Sequence, residues 1–292
     1  MRKTSKYLIF LVPAFVCCSF FSQEKYNSLL WKIYSNELKD TSYIYGTMHT
    51  KDERVFNFKA GVLEAFKSAE IYAMELNVDS VNQTELMEGL LMDSSKTLKQ
   101  LLSKSEYLEV SRYFSDSLNM SLFFFDKIQP IYTAQMIATK ELGNQQNLAL
   151  DVYFHSLAKQ QNKKIVGLEK MVEQLNVFQK FPYALQAKEL VKAVREAMSS
   201  QSNELENIIE LYVKEDLDSL LLLTVESQLE DTSYAKIIND NLLVSRNYIM
   251  ANRSEKYLKK HSVFIAVGAA HLPGQKGIIQ LLRDKGYKVE PY

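Results

Sequence analysis

SYIYGTMHT, residues 42–50, decides how the chain is to be read. Tyr43, Ile44 and Tyr45 are aromatic or β-branched, the composition of a strand. They run into Gly46, and His49 stands three residues further on. The pattern returns near the other end of the chain. VFIAVGAAH, residues 263–271, carries an apolar run into Gly268 and then His271. Two strands far apart in sequence thus each end in Gly-x-x-His. Open α/β sheets place their ligand crevice at the carboxyl ends of strands. A glycine there permits positive φ and close approach of backbone to a ligand. The expectation is that His49 and His271 reach one sheet edge.

Residues 28–34 (SLLWKIY) read as a first strand, paired as a hairpin with 42–45 across the polar segment 35–40. A helix is expected over 58–68. Residues 71–76 (IYAMEL) are nearly all apolar, as in a strand covered on both faces, with Glu75 near the carboxyl end. From 84 to about 150 the chain reads as helical throughout, with a break at Gln129-Pro130. Residues 163–169 form a strand entering a helix. A second helical stretch covers 181–224; its leucine run, 220–223, reads as a buried helix or a packing edge. A last long helix, 239–259, carries Arg246, Asn247 and Arg253. A helix over 277–284 and a strand over 287–290 close the chain. There is no solenoid repeat and no low-complexity linker.

The chain has 292 residues, 47% hydrophobic and 24% charged, which is enough for one large core with a helical insertion. Lys+Arg and Asp+Glu balance at 35 each, and no basic cluster suggests a phosphate-tracking groove. Nucleic acid is therefore not an expected partner. Arg2, Lys3 and Lys6 precede an uncharged run over 7–21, followed by a polar exit. That is the plan of a secretory signal peptide, residues 1–22, with cleavage near Ser22. Pro13 interrupts a run that is short for a membrane span. An uncleaved anchor and lipid attachment at Cys17 or Cys18 stay as alternatives, although Ala14-Phe15-Val16 makes a poor lipobox. Both cysteines lie in this segment, so the mature chain, 23–292, would have no disulfide, no thiolate nucleophile and no cysteine zinc site. Any metal must be held by histidine and carboxylate.

His49, His271 and Glu75 would make a two-histidine, one-carboxylate site with open positions. Such a site polarises a carbonyl and lowers the pKa of water from about 15.7 toward 7. The alternative is that each histidine bonds its own turn. The chain has four histidines. His155, inside an amphipathic helix, reads as a packing or surface residue, and His261 as part of a solvated corner. Phe123, Phe124 and Phe125 read as packing rather than as a pocket wall.

These segments, with GLEKMVEQL (167–175) and the C-terminal VFIAVGAAHLPGQKGIIQLLRDKGYKVEPY, resemble the TraB/PrgY/GumN family. That family includes the Tiki metalloproteases and is distantly similar to erythromycin esterase and ChaN proteins. The resemblance spans nearly all of the mature chain, and Gly-x-x-His-Leu-Pro-Gly followed by Leu-Leu-x-x-x-Gly-Tyr is its most specific part. It implies an α/β fold: a central mixed sheet flanked by helices, with a large helical insertion at about 84–260. It implies an exported, periplasmic or cell-envelope metal-dependent hydrolase, a peptidase of the Tiki type. His49, His271 and Glu75 would hold a divalent metal ion, manganese or cobalt by resemblance, with zinc as a further candidate. The substrate would be a peptide or a small molecule. The membrane would be met only through an uncleaved N-terminal segment. The competing expectation is a non-catalytic metal, haem or peptide-binding protein of the same fold. Arg246 lies in SRNYIM, similar to the family's Arg-Asn helix. An arginine there stabilises an oxyanion, holds a substrate carboxylate, or serves as an ion-pair residue. Glu169 and Gln174 match the family's Gly-Leu-Glu…Gln pattern, although Lys170 stands where threonine is usual. Glu169 is read first as a helix N-terminal charge, with second ligand and general base as the other roles.

Overall fold

Val263, Phe264, Ile265, Ala266 and Val267 are each fully buried. A strand with no exposed residue must be covered on both faces, so it belongs inside a sheet between helical layers. The structure, a computed structural model, describes residues 25–50, 52–141, 149–199, 204–226 and 239–292. The segment read as a signal peptide, with Cys17 and Cys18, lies outside the described residues.

Among these residues six strands form one sheet: β1 (Leu30–Tyr34), β2 (Ser42–Thr47), β3 (Ile71–Leu76), β4 (Lys164–Glu169), β5 (Val263–Gly268) and β6 (Lys288–Pro291). Their order is β4-β3-β5-β2-β1-β6. β4, β3, β5 and β2 run parallel, while β1 is antiparallel to β2 and to β6. The sheet is mixed and the expected hairpin is present. In the β2–β5 register Gly46 faces Val267 and Thr47 faces Gly268. The two Gly-x-x-His segments therefore leave adjacent strands one residue out of step.

The helices are α1 (Val62–Ser68), α2 (Gln83–Leu90), α3 (Leu98–Leu101), α4 (Lys104–Leu118), α5 (Pro130–Glu141), α6 (Leu150–Gln160), α7 (Met171–Gln179), α8 (Tyr183–Ser199), α9 (Glu204–Val213), α10 (Leu217–Glu226), α11 (Ser245–Leu258) and α12 (Ile278–Asp284). Phe264 of β5 meets Phe66 of α1 at 5.2 Å and Phe154 of α6 at 5.4 Å between ring centres. Tyr45 of β2 joins the same cluster through Phe154. α11 packs across β3, β4 and β5. A second apolar core, with Leu98, Val110, Phe114, Leu190 and Val194, lies wholly within the helical part.

The range 84–260 is interrupted by β4, which adds to the sheet beside β3. The helical stretch expected over 84–150 breaks at Gln129-Pro130 as read, where α5 begins, and polar caps cut it further. Thr97 and Ser103 accept backbone N–H bonds at the starts of α3 and α4, and Ser103 with Glu106 closes a reciprocal capping box. Asn119 ends α4 at φ 52°, a left-handed conformation asparagine tolerates. Similarly, the stretch 181–224 divides into α8, α9 and α10. Leu220 is buried there and Leu222 is exposed. Packing explains Phe125, whose ring lies 5.0 Å from Phe114. It does not explain Phe123 and Phe124, which are 76% and 74% exposed; their short 3-10 turn points both rings outward. His155 is buried against Asp79, and His261 contacts Glu70 at the surface, as expected of a packing residue and a solvated corner. No helix among the described residues is long and apolar enough to cross a membrane.

Candidate active site

Four parallel strands discharge at one edge of the sheet. They bring there Glu169 from β4, Glu75 from β3, Gly268 from β5 and Thr47 from β2. Beyond β5 the chain tightens into a 3-10 turn, Ala269–His271, which turns His271 back into the protein. His271 is 5% exposed. Its Nδ1 lies 2.6 Å from Oδ1 of Asn247 on α11. The Asn247 amide is itself oriented, because Nδ2 donates to the Lys276 carbonyl at 2.8 Å. Oδ1 can only accept, so Nδ1 carries the proton and Nε2 keeps its lone pair. Burial pushes the His271 imidazole down to about 4 against the attraction of Glu75, with Arg246 and His49 adding to the decrease. At neutral pH it is an uncharged ring with a free nitrogen 3.7 Å from Glu75 Oε1.

Glu75 is held at both oxygens. The Gly268 N–H donates to Oε1 and Arg246 Nη2 donates to Oε2, each at 2.7 Å. Burial alone would raise this carboxyl. The positive charge available on His271, then Arg246, the Gly268 N–H and His49 outweigh it and bring it down to about 2. At neutral pH, with His271 uncharged, Arg246 and the Gly268 N–H keep Glu75 ionised. Arg246 also binds Glu169, through Nε at 3.0 and 3.1 Å and Nη2 at 2.6 Å. Gln174 donates to Glu169 Oε2 at 3.1 Å, and the Glu169 side chain is fully buried. Glu169 is therefore not the helix-terminal charge expected first. That place belongs to Glu173, which bonds the Lys170 N–H at the start of α7. Arg246 is an ion-pair residue: its Nε and Nη2 donors serve the two glutamates, and Nη1 reaches the Leu242 carbonyl in the π-helical turn before α11.

The glycines act by omission of a side chain rather than by positive φ, since neither Gly46 nor Gly268 is left-handed. A Cβ on Gly46 would come within 3.0 Å of Leu272 and 3.1 Å of Ala269; one on Gly268 would meet Glu75 Oε1 at 3.3 Å. The glycine spacing permits the two strand ends and Glu75 to close up.

His49 is differently placed. It stands in the loop after β2 with a side chain 70% exposed. Its Nδ1 lies 3.1 Å from Oδ2 of Asp151, which is buried in the first turn of α6. Thr47 Oγ1 donates to the other Asp151 oxygen at 2.9 Å. Oδ2 itself has no well-aligned hydrogen bond: the His49 contact has the distance but not the angle. Burial raises the Asp151 carboxyl and Glu75 adds to this, while His49 and Thr47 work against it. Tyr212 of α9 donates to the Gly46 carbonyl at 2.8 Å and so ties the β2 end to the helical part.

His49, Glu75, Arg246 and His271 all line one cavity of about 630 Å³. Its remaining walls are largely apolar, including Met48, Ile131, Phe178, Leu185, Leu220 and Leu243. A smaller cavity of about 350 Å³ shares His49, Glu75 and Arg246 and extends toward α2 and α7. Among the described residues no group of three or more His, Cys, Asp or Glu is drawn together as a ready coordination sphere. The donor set nevertheless fits a divalent cation. His271 presents an unprotonated nitrogen, Glu75 oxygens retain lone pairs beyond those already used, and two buried carboxylates share one guanidinium, leaving one negative charge in excess.

Asp151 and Tyr212 escape motif reading, and Thr47 is an unspecified position inside Gly-x-x-His. Asp151 reads as an ordinary acidic residue in a helix's first turn. Asn247 has one signal, its place next to Arg246 in the Arg-Asn pair.

A family model described as TraB/PrgY/gumN family matches residues 29–291. A protein named Metalloprotease TIKI homolog from Nematostella vectensis is 25% identical over 99% of this chain and 72% of its own length. Metalloprotease TIKI2 of Danio rerio is 22% identical over 92% of this chain, and Metalloprotease TIKI1 of Homo sapiens is likewise 22% identical over 92%. The chain spans 62% of the length of each of these two. No solved structure matches the chain.

Proposed function

We propose, from the premise that the chain belongs to the TraB/PrgY/gumN family, that it is an exported metal-dependent hydrolase, a Tiki-like peptidase. The observation that carries the reading is the convergence of His49, Glu75 and His271 on one cavity at the carboxyl edge of the sheet. Those three residues would hold the ion. When bound, a divalent cation polarises a carbonyl and lowers the pKa of water.

The chain's own groups do the rest. Asn247 keeps the His271 nitrogen unprotonated. Gly268 and Arg246 keep Glu75 ionised and fixed in direction. Glu169 holds Arg246 in place, so both act as positioning residues. The largely apolar walls suit a substrate with an apolar segment, a peptide before a small polar molecule. Export rests on the basic and apolar N-terminal segment. Manganese, cobalt and zinc are the candidate ions.

The test is metal content together with cleavage of a peptide panel by the purified chain, with His49→Ala and His271→Ala alongside. Loss of both properties in both variants is expected. Full metal uptake and full cleavage in the two variants would sink the assignment. One observation favours binding without turnover as the second reading: both Glu75 oxygens are already engaged. Tight metal or peptide binding with no hydrolysis across the panel would decide for it.

A further inference from the structure

Asp151 belongs to no motif, and the proposed function leaves it without a task. It is nearly buried, and Thr47 fixes one of its oxygens at 2.9 Å. The other oxygen, Oδ2, is a buried polar atom without an aligned partner, and His49 Nδ1 lies 3.1 Å from it. Buried carboxylate oxygens take a donor where one is in reach. The His49 side chain is 70% exposed, so little packing fixes its ring against turning toward Oδ2.

We propose that Asp151 is the positioning residue of His49: Oδ2 accepts the Nδ1–H, holds the imidazole in that tautomer, and leaves the Nε2 lone pair for the cavity. Asn247 does the same for His271 from a different helix. Each Gly-x-x-His histidine then presents Nε2, one backed by a carboxylate and the other by an amide. An oxygen acceptor behind the far ring nitrogen is the usual support of a histidine that ligates or accepts a proton. The inference takes its purpose from the proposed site, but its test uses neither metal nor turnover, so the two fail separately.

The experiment is long-range 15N–1H correlation on the full chain labelled at histidine, with chelator, above neutral pH. With four histidines, His49 is assigned by the signal lost in His49→Ala. The expected result is Nδ1–H in the wild type. Asp151→Asn is isosteric. Thr47 would keep bonding the amide oxygen, the NH₂ group would turn to the ring, and the tautomer would invert to Nε2–H, as it does in Ser-His-Asp triads given the same change. Nε2–H in the wild type overturns the proposal, and so does an unchanged tautomer in a folded Asp151→Asn. Should that variant not fold, the wild-type tautomer decides alone.

Discussion

His49 and His271 share one spelling, Gly-x-x-His at a strand end, and occupy opposite environments. His271 is 5% exposed, locked to Asn247 and lowered to about 4; the His49 side chain is 70% exposed and beside a buried carboxylate. The difference lies in the segment beyond each strand. After β5 a 3-10 turn folds back against α10 and bonds Asn247 of α11, whereas after β2 the chain runs out into a loop. The buried half of the site is therefore part of the folding core. The exposed half is a ring in solvent beside one buried carboxylate, Asp151.

That division breaks first at Arg246. Arg246→Ala strands Glu75 and Glu169 as buried charges and should lower unfolding free energy by about 3–5 kcal/mol. Chemical denaturation measures this, and a loss below about 1 kcal/mol would deny that the triad is buried and paired. The next effect is acid sensitivity. The folded His271 pKa of about 4 lies below the ordinary 6.5, so the unfolded chain takes up the proton first. Stability should fall as pH drops from 6.5 to 4, on the order of 3 kcal/mol at full extent, and His271→Gln should flatten that limb. Glu75, lowered from 4.5 to about 2, continues the loss at still lower pH. A pH series of thermal melts reads both; stability constant from pH 6.5 to 4 would count against a buried neutral His271.

Asn247→Ala removes the Nδ1 acceptor and leaves a buried N–H without a partner, for about 1–3 kcal/mol. A neutral outcome would mean that the ring turns to another acceptor. The smallest effect should be His49→Ala, about 1 kcal/mol by denaturation: the ring is exposed and packs little, but Asp151 Oδ2 is left buried without its donor. The same variant should lose metal uptake and hydrolysis. If it unfolds the chain instead, the comparison between the two histidines fails.

The legible part of this site is local. Residues 263–267 read as a buried strand because the apolar run is rich in β-branched and aromatic residues and ends at a glycine, and Glu75 reads as a strand-end carboxylate from its neighbours alone. The positions of the helical breaks are less legible, since single caps such as Ser103 and Asn119 redirect a chain whose apolar periodicity runs on past them. Glu169 departs from its sequence reading for a related reason. Proximity to a helix start suggests the helix, while Arg246, 77 residues away, makes the stronger charge pair.

The order of residues is enough to read the strand ends and the chemistry delivered to them: two imidazoles, two carboxylates and the small residues that let them close up. Which group neutralises which emerges only when distant segments meet. Arg246 reaches Glu75 across 171 positions, and Asp151 reaches Thr47 across 104. Charge state and tautomer depend on burial and on the nearest donor or acceptor. Both are set by elements that meet only when the sheet is assembled.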